Sequence, residues 1–241
     1  MKRFVCFGDS HSQSFENIMD TQYFPASSAK GLNNINSISR TNNAIKTTID
    51  NENYTDVIFF FGKVDLDFIM NHMYEKYDNF DFELYIKKIV NSYINFIRSI
   101  ATDTIHIYIC ELAISHMSDE NLLLRMLDTH NHNSTVAFLD EKYSQLEYKK
   151  VLPFSKRNMY TLYFNLLLKN KCKLNGYTFL EINKYFVNDN TDEEEPYIVP
   201  KELIKSPTNH HLNDAIVKLY LKDIWDNEIL NTNYKHLECC S

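Results

Sequence analysis

The chain is short of glycine and proline, with four and five in 241 residues. That scarcity excludes a flexible linker, a collagen-like repeat and a low-complexity arm, so residues 1–241 are expected to form a single domain. Basic residues are in the minority: 25 Lys and Arg stand against 32 Asp and Glu, a formal net charge of −7, and they form no stripe. Nucleic acid is therefore not an expected partner. The five cysteines, Cys6, Cys110, Cys172, Cys239 and Cys240, are odd in number and irregular in spacing. They supply neither a disulfide framework nor a CxxC pair for zinc. Cys6 and Cys110 lie inside apolar runs and read as small core residues. No apolar run reaches the length of a membrane span. The segment Met1 to Phe7 gives way to Gly8-Asp9 too early for a signal peptide, and Glu238-Cys239-Cys240-Ser241 lacks the cysteine position of a prenylation box. A soluble, cytoplasmic protein with no membrane partner is expected.

What the chain has in excess is Asn, about one residue in nine, with frequent Ile, Lys and Tyr. This composition matches the codon bias of an AT-rich genome, as in some large DNA viruses, whose product would work in the host cytoplasm. The acidic run Asp192-Glu193-Glu194-Glu195 reads as a solvated loop.

Four short apolar runs read as strands: Phe4 to Phe7, Val57 to Phe61, Ile105 to Cys110 and Thr178 to Ile182. A weaker fifth falls within Gln22 to Gly31. Helical periodicity covers Ser12 to Met19, Asn42 to Ile49, Phe82 to Ile100, Glu120 to Leu127 and Lys156 to Lys171. A last helix runs from Asp214 to about Leu230, with Asn213 as its N-cap. Tyr185 to Lys205 has no clear period and reads as a long loop. Continuous apolar strands alternating with helices predict an α/β fold: a three-layer α/β/α sandwich around a mostly parallel, flavodoxin-like sheet of about five strands.

Two places carry chemistry. After the first strand, Gly8-Asp9-Ser10-His11-Ser12 puts a serine at the mouth of the sheet, where open α/β folds bind ligands. Backbone N–H groups at a helix start there can hold an anion. Near the far end stands Asn209-His210-His211-Leu212-Asn213. A serine hydroxyl needs an adjacent base to attack, and either histidine could be that base. Adjacent residues on an extended loop point in opposite directions, so at most one of His210 and His211 is expected to face Ser10. The alternative for Ser10 is a plain helix N-cap.

Gly8-Asp9-Ser10 after the first strand resembles the first motif of the SGNH (GDSL-like) hydrolases. The resemblance implies Ser10 as the nucleophile and His211 as the base, with the oxyanion hole formed by the Ser10 and Gly31 backbone N–H groups. The third motif, Gly-x-Asn-Asp, is matched by Gly62-Lys63-Val64-Asp65, with Val64 where a side-chain oxyanion donor is expected. The last motif, Asp-x-x-His, is matched at His211, but Thr208 stands in the place of the acid. Either a backbone carbonyl then orients the histidine, or an acid such as Asp189, Asp192 or Asp214 does. These departures resemble a divergent branch of the superfamily.

Other residues expected near the site are Asp9, His11, Gly62, Asp65, Glu111, Thr208 and His210. Asp65 also reads as holding its own loop, and Arg157 and Asn165 read as surface or packing residues of a helix. The implied activity is hydrolysis or transfer of an acyl ester, such as an acetylated carbohydrate, with no metal or organic cofactor. A catalytically degenerate binding protein on the same fold is one alternative, given Val64 and Thr208. A metallophosphoesterase is another: Gly-Asp-x-His also opens that family, with Asp9, His11, His130 and His132 as ligands, although Lys63 replaces the bridging acid that a two-metal site needs.

Overall fold

The computed structural model describes residues 3–16, 18–37, 39–131, 149–186, 188–189, 197–199, 201–207, 209 and 211–225, with the backbone alone for 128–131, 188–189, 197–198, 202, 214–215 and 223–224. Five strands form one sheet: β1 (Phe4–Gly8), β2 (Asp20–Tyr23), β3 (Asp56–Phe60), β4 (His106–Cys110) and β5 (Thr178–Leu180). All neighbours are parallel, in the order β2-β1-β3-β4-β5. That is the flavodoxin-like doubly wound order, in which the strand order reverses beside β1 and ligands collect at the strands' C-terminal ends. Every residue of β3 is buried, so both faces of the sheet are covered and the architecture is three-layered α/β/α.

Among the described residues the helices are α1 (Thr41–Asn51), α2 (Met70–Lys76), α3 (Phe82–Ile100), α4 (Asp119–Asn131), α5 (Phe154–Asn175), α6 (Asn183–Phe186) and α7 (Asp214–Ile224). Helix α3 shows how the sequence sets an element. Asp81 caps it by accepting from Leu84 N at 2.9 Å, and Ile86, Ile89, Val90, Tyr93 and Ile97 recur on the buried face. The hydroxyl of Tyr93, buried with its ring, accepts from Phe61 N at 3.3 Å, so no polar atom is stranded there.

Four strands and the long helices lie where the apolar patterns put them. The differences have physical causes. Strand β2 begins two residues before the expected stretch, because Asp20-Thr21-Gln22-Tyr23 is a half-exposed edge strand with no apolar run. The turn after β1 is a 3-10 helix, Ser10–Phe15, shorter than the helix expected over Ser12 to Met19. Val64–Ile69 forms a π-helical turn leading into α2, which the sequence reading did not anticipate. Within Tyr185 to Lys205 there is a small antiparallel ribbon, β6 (Asn188–Asp189) with β7 (Tyr197–Ile198). Cys6, Cys110 and Cys172 are buried free thiols, while Cys239 and Cys240 lie outside the described residues, as does the expected end of α7 near Leu230. Among the described residues no helix is long and apolar enough to cross a membrane.

Candidate active site

The site begins where β1 ends. A side chain at Gly8 would place its Cβ 2.4 Å from Ser12 Cβ and 2.6 Å from the Phe60 carbonyl oxygen, so only glycine lets the chain turn this tightly. Asp9 N still donates to Phe60 O at 3.1 Å, extending the sheet ladder by one bond. Asp9 is then the N-cap of the 3-10 helix: its Oδ1 accepts from His11 N at 3.0 Å, and its carbonyl accepts from Ser12 N and Ser12 Oγ. The capping role weighed for Ser10 therefore belongs to Asp9. Ser10 is the first residue of the helix, and among the described residues its N–H donates to no group.

His211 reaches this serine from a pinned loop. The loop is closed by a bridge between Ile204 and Leu212, by Asn213 N donating to Leu203 O at 2.6 Å, and by Asn209 N donating to Ser206 O at 3.1 Å. His211 Nε2 stands 2.8 Å from Ser10 Oγ, across 201 residues of sequence. Asn209 lies behind the ring: its Oδ1 accepts from His211 N at 3.0 Å and from Nδ1 at 3.1 Å. The backbone N–H can only donate, so it fixes which way the Asn209 amide faces. The same oxygen then requires the proton on Nδ1, leaving Nε2 of the neutral ring as acceptor for the Ser10 hydroxyl. The orienting group is thus a neutral side-chain carbonyl two residues before the histidine. Neither a backbone carbonyl nor one of the distant acids takes that place among the described groups. Thr208, His210 and Asp192, with the side chains of Asp189 and Asp214, lie outside what is described.

The same local geometry occurs beside Ser10. Asp9 Oδ1 accepts from both the backbone N–H and Nδ1 of His11, at 3.0 and 2.9 Å. Asp9 is fully buried, and the His11 ring packs on the His211 ring with centroids 4.6 Å apart.

The wall opposite is the irregular segment after β4, held by side chains. Asn165 of α5 pairs with both backbone groups of Leu112, accepting from N at 3.0 Å and donating to O at 2.9 Å. Asn158 of the same helix pairs with both groups of Ser115, at 2.8 and 3.3 Å. Asn183 accepts from Ile114 N at 3.2 Å and donates to Leu112 O at 3.0 Å. The buried Arg157 donates to Met117 O and Leu152 O and pairs with Asp119 at 2.6 Å. Arg157 and Asn165 are thus packing residues that shape the wall. Glu111 spends its carboxylate on Ile182 N and Asn183 N, both at 2.8 Å, which is a structural role.

His116 connects this wall to the loop that carries His211. Its Nε2 lies 2.8 Å from Asn209 O, and a carbonyl oxygen only accepts, so Nε2 carries a proton. Burial holds His116 below the usual histidine range, with the Asn209 bond acting the other way. A continuous hydrogen-bonded route runs from His116 through Asn209 and His211 to Ser10. Sequence reasoning missed His116 and Asn209. The signal for Asn209 was the shared spacing of Asp9-x-His11 and Asn209-x-His211.

The altered third motif is largely structural. Gly62 sits at φ +133°, and a Cβ there would meet Leu112 Cδ1 at 2.8 Å and Phe164 Cζ at 3.0 Å. The buried Lys63 pairs with Asp67 at 3.0 Å and donates to Ala113 O at 3.1 Å. Asp65 is fully buried; its Oδ2 accepts from Ala29 N at 2.6 Å, tying down the loop that carries Gly31. Burial, the largest influence, pushes the Asp65 carboxyl up to about 7 against the opposing Ala29 and Lys30 backbone bonds. Asp9 Oδ2 and Asp65 Oδ1 are buried with no hydrogen-bond partner among the described residues. Gly31 N donates to Ser28 Oγ at 2.9 Å.

A pocket opens beside His211, and Ser10, bonded to that ring, is itself not part of the lining. Its polar lining includes His11, Lys63, Asp67, Ser115, His116 and His211. Its apolar lining includes Phe60, Met117, Ile182, Phe186, Leu212 and Leu221. Gly31, Gly62, Asp65 and Glu111 are not part of that lining. Among the described residues, no three His, Cys, Asp or Glu side chains are placed to share a metal ion; His132 and the side chain of His130 lie outside them.

No protein-family model matches the sequence, and no curated protein matches it. Solved structures do. A protein of Bacteroides fragilis NCTC 9343 described as an acylhydrolase superposes with a TM-score of 0.54 at 9% identity, over 94% of this chain and 88% of its own. A GDSL-like lipase of Bacteroides thetaiotaomicron VPI-5482 gives 0.52 at 9% identity, over 95% and 89%. An acetyl xylan esterase gives 0.52 at 13% identity, over 92% and 98%. With a parallel sheet in the order 2-1-3-4-5, a serine closing the first strand and a histidine loop before the last helix, this chain has the SGNH (GDSL-like) hydrolase fold.

Proposed function

We propose that the protein is an SGNH-type serine esterase or acyltransferase acting on an acyl ester. The observation that carries this reading is the 2.8 Å contact between Ser10 Oγ and His211 Nε2, with the ring tautomer set by Asn209. Ser10 attacks the ester carbonyl as His211 takes its proton. The Ser10 N–H supplies one oxyanion donor. Gly31 supplies a second once its N–H turns from Ser28 Oγ toward the substrate. The apolar part of the pocket receives the acyl group, and the polar part receives the alcohol, a small molecule or a glycan.

The test is covalent labelling. A fluorophosphonate probe is expected to modify the protein at Ser10, with no labelling of Ser10→Ala or His211→Ala. Equal labelling of Ser10→Ala would overturn the assignment. Asn209 in place of an acid, and Val64 in place of an amide donor, favour a second reading: a degenerate binding protein on the same fold. An unreactive wild type that still binds acyl esters would select it.

A further inference from the structure

We infer that Asp67, held by the ammonium of Lys63, is a specificity-determining residue of this site: its carboxylate accepts a hydrogen bond from a free hydroxyl on the alcohol part of the ester. The substrate class is then the acyl ester of a polyol, such as a sugar, rather than of a plain alkanol. The inference rests on the esterase reading and deepens it.

Three observations converge. First, the pair stands in the same pocket wall as the base. Lys63, Asp67, Ala113, Ser115, His116 and His211 all line that pocket. Lys63 Nζ is pinned between Asp67 Oδ2 at 3.0 Å and Ala113 O at 3.1 Å, so the ammonium bridges two groups of the lining. Burial lowers His116 most, and Lys63 lowers it further while Asp67 raises it, which puts both charges within electrostatic reach of that ring. Second, the carboxylate has acceptor capacity to spare. Its two oxygens offer about four acceptor sites. Among the described residues the Lys63 ammonium alone donates to them, at 3.1 and 3.0 Å. Third, the local backbone is fastened without the pair. Asn71 Nδ2 donates to Asp67 O at 2.8 Å and Leu66 N donates to Gly62 O at 3.1 Å, while Asn158, Asn165 and Asn183 hold the opposite segment.

The chemistry of the pair selects its ligand. Lys63 is 3% exposed and Asp67 6%, so both ions have lost most of their hydration, and apolar side chains of like volume would fill the space without that cost. A charged acceptor kept in the pocket under those conditions fits a ligand that donates to it. The pair is neutral overall and so favours neither an anion nor a cation; a hydroxyl suits it. A substrate O–H replaces water at Asp67, whereas a methyl group in the same place would leave the carboxylate facing hydrocarbon. Sites with buried polar groups discriminate strongly for that reason.

The experiment compares 2-hydroxyethyl acetate with propyl acetate, two esters of equal length that differ by a terminal O–H in place of a methyl group, each rate normalised to hydrolysis in alkali. Wild type is expected to prefer the hydroxyl ester by about ten- to a hundredfold in kcat/KM. The double variant Lys63→Met/Asp67→Leu removes both ions together, so no lone charge is left buried. Its preference is expected to collapse to within about threefold. Asp67→Asn, which keeps an acceptor without the charge, is expected to retain part of the preference. A purely structural pair would lower both rates equally and leave their ratio unchanged, which would overturn the inference. So would a wild type that reacts with fluorophosphonate or p-nitrophenyl acetate yet shows no preference for the hydroxyl ester or hydrolyses neither; Ser10 and His211 would keep their roles. A wild type inert to all three esters and to fluorophosphonate would overturn the esterase reading and this inference with it.

Discussion

Asn209→Asp tests what a negative charge in place of the Asn209 amide does for the proposed base, His211. The substitution is nearly isosteric, and a carboxylate can accept the same two bonds from His211 N and Nδ1, at 3.0 and 3.1 Å, that the amide oxygen accepts now. Orientation and tautomer are therefore conserved, and charge is the variable. Across 3.1 Å, Coulomb's law gives about 1.3 kcal/mol in bulk water and about 5 kcal/mol at an effective dielectric constant near 20. The loop is half-buried, so the gain in stabilising the imidazolium falls between these bounds, roughly tenfold to a few thousandfold in rate. The lost acid of a serine triad, worth about ten-thousandfold, brackets the same range from above. The assay is the second-order rate of fluorophosphonate labelling alongside kcat/KM for p-nitrophenyl acetate. Since His211 must be neutral to accept the Ser10 proton and the new carboxylate favours its cation, the acid limb of the pH–rate profile should also move to higher pH. A folded Asn209→Asp with unchanged labelling rate and unchanged profile would refute the claim that this oxygen stands behind the working base.

Two further outcomes follow from the geometry. His116→Phe removes the donor to Asn209 O and leaves that carbonyl unpaired; kcat is expected to fall about tenfold, worth about 1.4 kcal/mol, with KM within twofold, and His116→Gln to recover part of the loss in steady-state assays. Asp65 tests linkage: its folded carboxyl at about 7 lies well above the ordinary 3.8, so the folded state holds a proton that the unfolded state has released, and stability falls as pH rises from about 4 to 7. That fall is of order 4 kcal/mol, and thermal melts of Asp65→Asn at pH 5 and pH 8 should show the variant relatively stabilised at pH 8; a pH dependence identical to wild type would refute it.

The sequence carried the sheet well because β1, β3 and β4 are buried on both faces and read as apolar runs. The edge strand β2 lay beyond reach for the opposite reason, since a half-exposed Asp-Thr-Gln-Tyr segment has no hydrophobic signal. Ser10 and His211 were legible because each stands next to a recognisable boundary, a strand end and a helix start. His116 was not: its only distinguishing property is a bond to a carbonyl 93 residues away, made by a segment without periodicity. Asn209 was passed over because the reading looked for charge three residues before the histidine, and the fold uses an uncharged oxygen two residues before it. Glu111 was placed on the correct side of the sheet, but its oxygens are taken by the backbone that follows β5.

The amides of Asn158 and Asn165 treat Ser115 and Leu112 as a neighbouring strand would, each taking one N–H and returning one N–H to a carbonyl. Helix α5 is therefore a surrogate sheet edge for a segment that has left the sheet. Amide protons at Leu112 and Ser115 can exchange with solvent only when α5 lifts away, so their protection should match that of the helix rather than that of an ordinary loop. The opening that frees them would also release His116 and, through it, the carbonyl of Asn209. Helix undocking and release of the Asn209–His211 loop would then register as one event in hydrogen exchange.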